Sequence, residues 1–298
     1  AGEARLGGGD PAAALESADI PQAQPPVVQS RADYLAGRAL LALERHQEAL
    51  ARLLELARNP HNVPSEIHAG AGLVAAGALL DLRRVDEAEA LVESYIGKRP
   101  QSPWLPAYFS LLADIYSAQE NHSTRQLRSW VIDREFPLRS HYSSYILAAT
   151  LRRDGDTAQA LQFLQPVASQ SLDSRLATRA TIDSARITAA SNPQTALDQL
   201  ASASAAATSP TDKARLDYAA ATIMQDDGRF EQAAAAFGEL ADSAPEFAEQ
   251  AAFSRAQCLL GASQYERFLE AYKAFSQKFP ESPLRSELLL EEGLMQAR

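Results

Sequence analysis

Few residues of this 298-residue chain have the type and spacing that covalent chemistry requires. His46, His61, His68, His122 and His141 stand far apart, and no two share the i, i+4 spacing of a helical metal site. Adjacent carboxylates occur at Asp226-Asp227 and Glu291-Glu292. Acid–base work needs a cleft that raises one pKa of such a pair, whereas neighbours on a solvated helix point apart. The one cysteine, Cys258, lies beside Leu259 and Leu260, which predicts a buried, inert thiol. Gly7-Gly8-Gly9 follows no strand and has no lysine next to it, so it reads as a flexible terminus rather than a phosphate cradle. Patterns of the GxSxG, HExxH and EF-hand kinds do not occur. Asn121-His122-Ser123 fits the glycosylation triplet, a pattern frequent by chance, and is given no role. The sequence therefore predicts a chain that is not an enzyme, with no metal and no cofactor.

Aromatic residues are more informative. Tyr95, Trp104, Tyr108, Phe109, Tyr116, Trp130, Phe136, Tyr142 and Tyr145 place nine rings, including both tryptophans, within 51 residues. Most are expected to fill core around an irregular segment, and a minority to stand exposed as binding anchors.

These side chains must be held by something, and composition says what. Alanine occupies 58 positions, and 24 of the 28 basic residues are arginine. Alanine has the best intrinsic helix propensity, and 46% hydrophobic residues suffice for a real core. One cysteine cannot form an internal disulfide. The longest apolar run, Ala69 to Leu80, is too short to span a bilayer. Net charge is −10, with residues 1–149 at −4, 150–225 balanced and 226–298 at −6. With no basic stripe in the sequence, nucleic acid and anionic membrane surfaces are excluded as expected partners. The chain opens at Ala1 without methionine, as expected of a mature form or an excised fragment.

Periodicity supplies the architecture. Between Lys213 and Asp226, Leu216, Ala219, Ala220, Ile223 and Met224 fall on one helical face. Asp227-Gly228 ends that helix, and a second follows from Glu231 to Asp242, closed by Ala244-Pro245. The same unit recurs around Ala49, Ala88, Ala160, Ala196 and Phe268, and an incomplete one around Ala14. Counting through Arg125 or Ser123 in the third repeat, the separations run from about 35 to 39 residues, which is the spacing of a helical solenoid.

These residues resemble the tetratricopeptide repeat. Its small residue in the first helix is matched by Gly37, Ala76, Ala113, Ala148 and Ala221. Its small residue opening the second helix is matched by Ala49, Ala88, Ala160, Ala196 and Ala233, and its closing proline by Pro100, Pro137, Pro245 and Pro280. The resemblance implies an all-α, right-handed α-α superhelix, a solenoid of about seven helix-turn-helix repeats. Residues 1–30 would form an N-terminal partial repeat and linker, 31–282 the seven repeats and 283–298 a capping helix. Repeat three, with Arg125 or Ser123 at the small site, and repeat five, without its proline, are expected to be distorted. The run from Tyr265 to Phe275, with Phe279-Pro280-Glu281-Ser282-Pro283, is further similar to repeats of the bacterial envelope proteins YbgF and BamD.

In this family the first helix of each repeat lines a concave groove. Carried over by register, the groove residues are Arg31, Tyr34, Arg38, Leu73, Asp114, Tyr142, Tyr145, Arg152, Arg215, Tyr218, Gln225 and Gln257. Tyrosine and arginine suit a peptide gripped by stacking and charge-assisted hydrogen bonds. The implied function is a scaffold for a protein or peptide partner, in the periplasm or another envelope setting. The alternatives are the repeat module of a larger enzyme, such as a lytic transglycosylase, and a self-association module.

Overall fold

The structure, a computed structural model, describes residues 6–21, 24–59, 61, 63–119 and 124–296, with side chains to residue 290. Among them are sixteen α-helices and no strand. In chain order these are α1 (Pro11–Ala18), α2 (Pro26–Ala42), α3 (His46–Arg58), α4 (Ser65–Asp81), α5 (Val85–Lys98), α6 (Leu105–Ala118), α7 (Arg125–Val131) and α8 (Pro137–Arg153). They continue with α9 (Thr157–Gln170), α10 (Ser174–Ala189), α11 (Pro193–Ala206), α12 (Pro210–Asp226), α13 (Phe230–Ser243), α14 (Ala248–Gly261), α15 (Tyr265–Lys278) and α16 (Leu284–Gln296). Pro60, the Asn121–Ser123 triplet with His122 and the Ser123 register, and the side chains of Glu291 and Glu292 lie outside the described residues. The fold is an all-α solenoid of helical hairpins, as the period required.

The chain divides into two compact units, Ala1–Thr150 and Leu151–Arg298. In the first, α1 to α6 pack each on the next, and the first helices α2, α4 and α6 also touch one another in turn. In the second, α9 to α16 pack in sequence, with α10 against α12 and α14 against α16. Contact between alternate helices is what makes stacked hairpins a continuous core rather than isolated pairs.

Small residues sit where the two helices of a hairpin cross. Ala49, Ala88, Ala160, Ala196 and Ala233 are all fully buried. At Gly37 an added Cβ would lie 2.6 Å from Leu53 Cγ, so only glycine fits that crossing. Each hairpin turn has a second requirement. Glu44, Arg83, Gly155, Gly228 and Ser263 all have positive φ, between 58° and 88°, and all lie between the helices of a repeat. Beyond each, a backbone N–H reaches back to close the first helix, as in Arg45 to the Leu40 carbonyl (2.9 Å) and Gln264 to that of Leu259 (2.9 Å). This is the left-handed C-terminal stop, and three of its five positions here are not glycine.

Helix starts follow their caps. The carboxylates of Asp156 and Asp173 and the side chain of Asn192 accept from the backbone N–H groups of Gln159, Leu176 and Thr195. Prolines open α1, α2, α11 and α12, where their missing N–H is harmless. Helix α2 begins at Pro26, ahead of the boundary expected at residue 30.

Repeat three is the shortened one. Its second helix, α7, has seven residues, and Leu127 and Trp130 point into the core while Arg125 is exposed. Repeat five is regular, contrary to expectation: α10 and α11 run 16 and 14 residues, with Ala196 and Leu200 buried between them. Asn192 and Pro193 start its second helix cleanly, so the missing closing proline costs no helix there. In repeat seven Phe268 occupies the small site and is fully buried in the core shared with Phe237, Phe253 and Phe275. Helix α16 extends that core through Leu288.

Candidate functional site

The first helices carry the residues expected to meet a partner. On α2, Arg31 and Arg38 are exposed one turn on either side of half-buried Tyr34, and the Arg38 guanidinium lies 5.6 Å from the Tyr34 ring centroid. Tyr34 is held by the next repeat, because Gly70 on α4 has no side chain: a Cβ there would stand 2.7 Å from the tyrosine oxygen. Leu73 on α4 is half-buried and Asp114 on α6 is exposed.

Tyr142 and Tyr145 on α8 are placed differently from a groove contact. Both are buried, at 7% and 8% exposure, and Tyr142 stacks on Phe109 with ring centroids 5.2 Å apart. Phe109 in turn meets Trp130 edge-on at 6.1 Å, so these rings fill the space left beside the short α7. Arg152 at the end of α8 is exposed. In the second unit, Arg215 pairs with Asp212 at 3.6 Å, and Tyr218 stacks on Phe247 at 5.5 Å with its hydroxyl 3.4 Å from Ser254 Oγ. Gln225 and Gln257 are half-buried. Arg31, Tyr34 and Arg38 thus form one cluster on α2, and Arg215, Tyr218 and Gln225 another on α12.

Two of the clefts among the described residues bear on function, and neither follows from the groove register. The larger, about 920 Å³, lies among α11, α12 and α13 and mixes Asp198, Asp217 and Glu239 with Lys213, Arg229 and Met224. It uses the flank of α12 away from Tyr218, a face that the groove register passes over.

The smaller, about 290 Å³, lies among α3, α4, α5 and α6. Arg58, Lys98 and Arg99 come to it from the C-terminal ends of α3 and α5, and among the described residues no carboxylate lines it. His68 and Tyr108 form its wall with Tyr95, whose ring lies parallel to that of Tyr108 at 3.8 Å and 5.8 Å from that of His68. Burial first, and then the charges of Arg99 and Lys98, hold the His68 imidazole below the usual histidine pKa. The sequence signal was the pair Lys98-Arg99, which reads as an ordinary basic helix end until folding brings Arg58 beside it.

Other titratable groups show packing rather than chemistry. Burial pushes the Cys258 thiol up to about 11, leaving almost no thiolate at neutral pH. Burial raises the Glu93 carboxyl, which accepts from the Tyr116 hydroxyl at 3.2 Å. Among the described residues, no group of three or more His, Cys, Asp or Glu side chains is placed to hold a metal ion, and no helix is long and apolar enough to cross a membrane.

Stacked hairpins, five of them with a buried alanine at the crossing, and polar first-helix faces define a helical-repeat scaffold. The tetratricopeptide-repeat sequence model matches residues 34–103 and 218–283, so the repeats in those two stretches are tetratricopeptide repeats. Solved structures of similar arrangement include the human IFIT1 dimer with PPP-AAAA, at 17% identity over 99% of this chain and 71% of that one, with TM-score 0.47. The P58(IPK) TPR domain is similar at 16% identity over 98% of this chain and 87% of that one, with TM-score 0.32. The sequence search of curated proteins returned no match.

One expectation is corrected by these findings. Net charge led to the exclusion of nucleic acid as a partner, and the cleft among α3, α4, α5 and α6 removes the ground for it; the PPP-AAAA in the IFIT1 structure belongs to that protein. The physical reason lies in the small cleft: a chain of net charge −10 still gathers three cations at one place with no carboxylate in the lining. A whole-chain sum does not describe a local surface, and the exclusion is withdrawn.

Proposed function

We propose that this chain is a non-catalytic scaffold that docks a peptide segment of a protein partner on the first-helix face. The observation that carries it is the α2 cluster. Arg31 and Arg38 are free to reach a ligand, while Tyr34 between them is fixed against the next repeat at Gly70. A rigid aromatic flanked by two arginines is the composition of a binding hot spot, and little side-chain entropy is lost in using it. Acidic and aromatic peptide side chains complement it. The double variant Arg31→Ala/Arg38→Ala changes exposed residues only and should melt as the parent does. Peptides enriched on the parent by display should bind the double variant at least tenfold more weakly. Equal binding to both, or recovery of nucleic acid in place of peptide with loss in the same variant, would overturn the reading.

We place the scaffold in a bacterial envelope. The support is the Tyr265–Phe275 run with its Phe279-Pro280-Glu281-Ser282-Pro283 ending, which is similar to YbgF and BamD repeats. Fractionation of the natural protein tests this, and recovery in the cytoplasmic fraction would count against it.

A further inference from the structure

We propose that the cleft among α3, α4, α5 and α6 is a binding site for a phosphate monoester, its dianionic end held by Arg58, Lys98 and Arg99 against His68. This does not rest on the peptide-docking reading, since Arg31, Tyr34 and Arg38 take no part in it.

Three cations converge on about 290 Å³ with no carboxylate in the lining. Like charges repel, so gathering them has a cost, and Glu87, whose carboxyl the Arg58 charge reaches, lies outside the lining. A cation at a helix C-terminus is favourable on its own, and that accounts for Arg58 and Lys98 singly. It does not account for two helix ends aimed into one cleft, with Arg99 added from the cap of α5. None of the three forms an ion pair among the described residues, although Arg45, Arg52 and Arg84 on the same helical layer do. Arg99 rests over the Tyr95 ring, 5.9 Å from its centroid, which orients the guanidinium without neutralising it.

His68 is the second, independent observation. It is 7% exposed, lines the cleft, and its Nδ1 has no hydrogen-bond partner among the described residues. The Ala57 backbone beside the ring acts in the opposite direction, favouring its protonated form. Unpaired buried polar atoms are rare in a folded chain, and this one belongs to a ring that borders the cleft.

A phosphate monoester fits better than a carboxylate. It carries close to two negative charges and three strong acceptor oxygens, enough to engage several donors together. The cleft is also larger than an ion needs, and half-buried Leu91 and Ala57 in its lining give apolar surface to the carbon-bearing side of an ester.

Isothermal titration calorimetry at low ionic strength tests the proposal, with phenyl phosphate, inorganic phosphate and acetate as probes. Phenyl phosphate should bind at one site per chain, more tightly than inorganic phosphate and far more tightly than acetate. Arg58→Gln and Lys98→Gln, both at exposed positions, should each weaken it about tenfold while melting falls only by the small helix-end contribution. Arg267→Gln on α15 should change nothing, and the His68 ring resonances should shift on titration. Absence of saturable binding at millimolar probe, or equal loss in Arg267→Gln, overturns the site. Acetate as tight as phosphate overturns the ligand class, and inorganic phosphate as tight as phenyl phosphate overturns the ester.

Discussion

The hydroxyl of Tyr108 donates to the backbone carbonyl of Ala69 across 2.8 Å, joining the first helices of the second and third repeats. Burial leaves that hydroxyl neutral at any ordinary pH. Glycine makes the approach possible: a Cβ on Gly72 would stand 2.3 Å from the same oxygen. Tyr108→Phe should therefore cost about 1 kcal/mol in urea unfolding. Gly72→Ala should cost about 1–3 kcal/mol through overpacking, which exceeds the roughly 1 kcal/mol that alanine gains in a helix. Gly77→Ala in the same helix meets nothing within 4 Å and should stabilise by up to about 1 kcal/mol.

The hairpin turns give a second set. Glu44 and Arg83 are exposed residues held at φ of 60° and 62°, where an L side chain is strained. Glu44→Gly and Arg83→Gly should each raise stability by about 0.5–1 kcal/mol, relief of strain outweighing the added freedom of the unfolded chain. Gly155→Ala and Gly228→Ala, at φ of 88° and 75°, should lower it by about 1 kcal/mol. Thermal melts of the four variants check the opposite signs.

Cys258 is fully buried, with its thiol pKa pushed up to about 11. At pH 7.5 it should react with a thiol reagent only as fast as the second unit opens. Rapid labelling of the native protein would show that α14 does not bury it.

Stability should fall as the solution is acidified below about pH 6.5. His68 and His141 are both held below the ordinary histidine value by burial, so the unfolded chain binds more protons in that window. Stability therefore rises with pH from the lowered folded values to about 6.5 and is level above. Glu93, raised by burial, acts with the opposite sign nearer the carboxylate range. The pair His68→Gln and His141→Gln should flatten the dependence of Tm on pH between 5 and 7.

Much of this was legible in the residue order because it is local. Helices of three to five turns follow from alanine content and 3.6-residue periodicity. The buried sites at Ala49, Ala88, Ala160, Ala196 and Ala233 follow from a spacing that repeats in every hairpin. Glycine marked two hairpin stops, while Glu44, Arg83 and Ser263 adopt the same backbone unannounced, because the packing of the two helices imposes the turn on whatever residue is there.

Burial of Tyr142 and Tyr145 was decided by tertiary structure. Their register matches a groove position, but the seven-residue α7 leaves room beside Phe109 and Trp130 that only large rings fill. The basic cleft lies beyond the sequence for a related reason. Arg58, His68, Lys98 and Arg99 span 42 positions on three helices, and a charge acts on another through distance in space, which only the stacking of adjacent repeats sets.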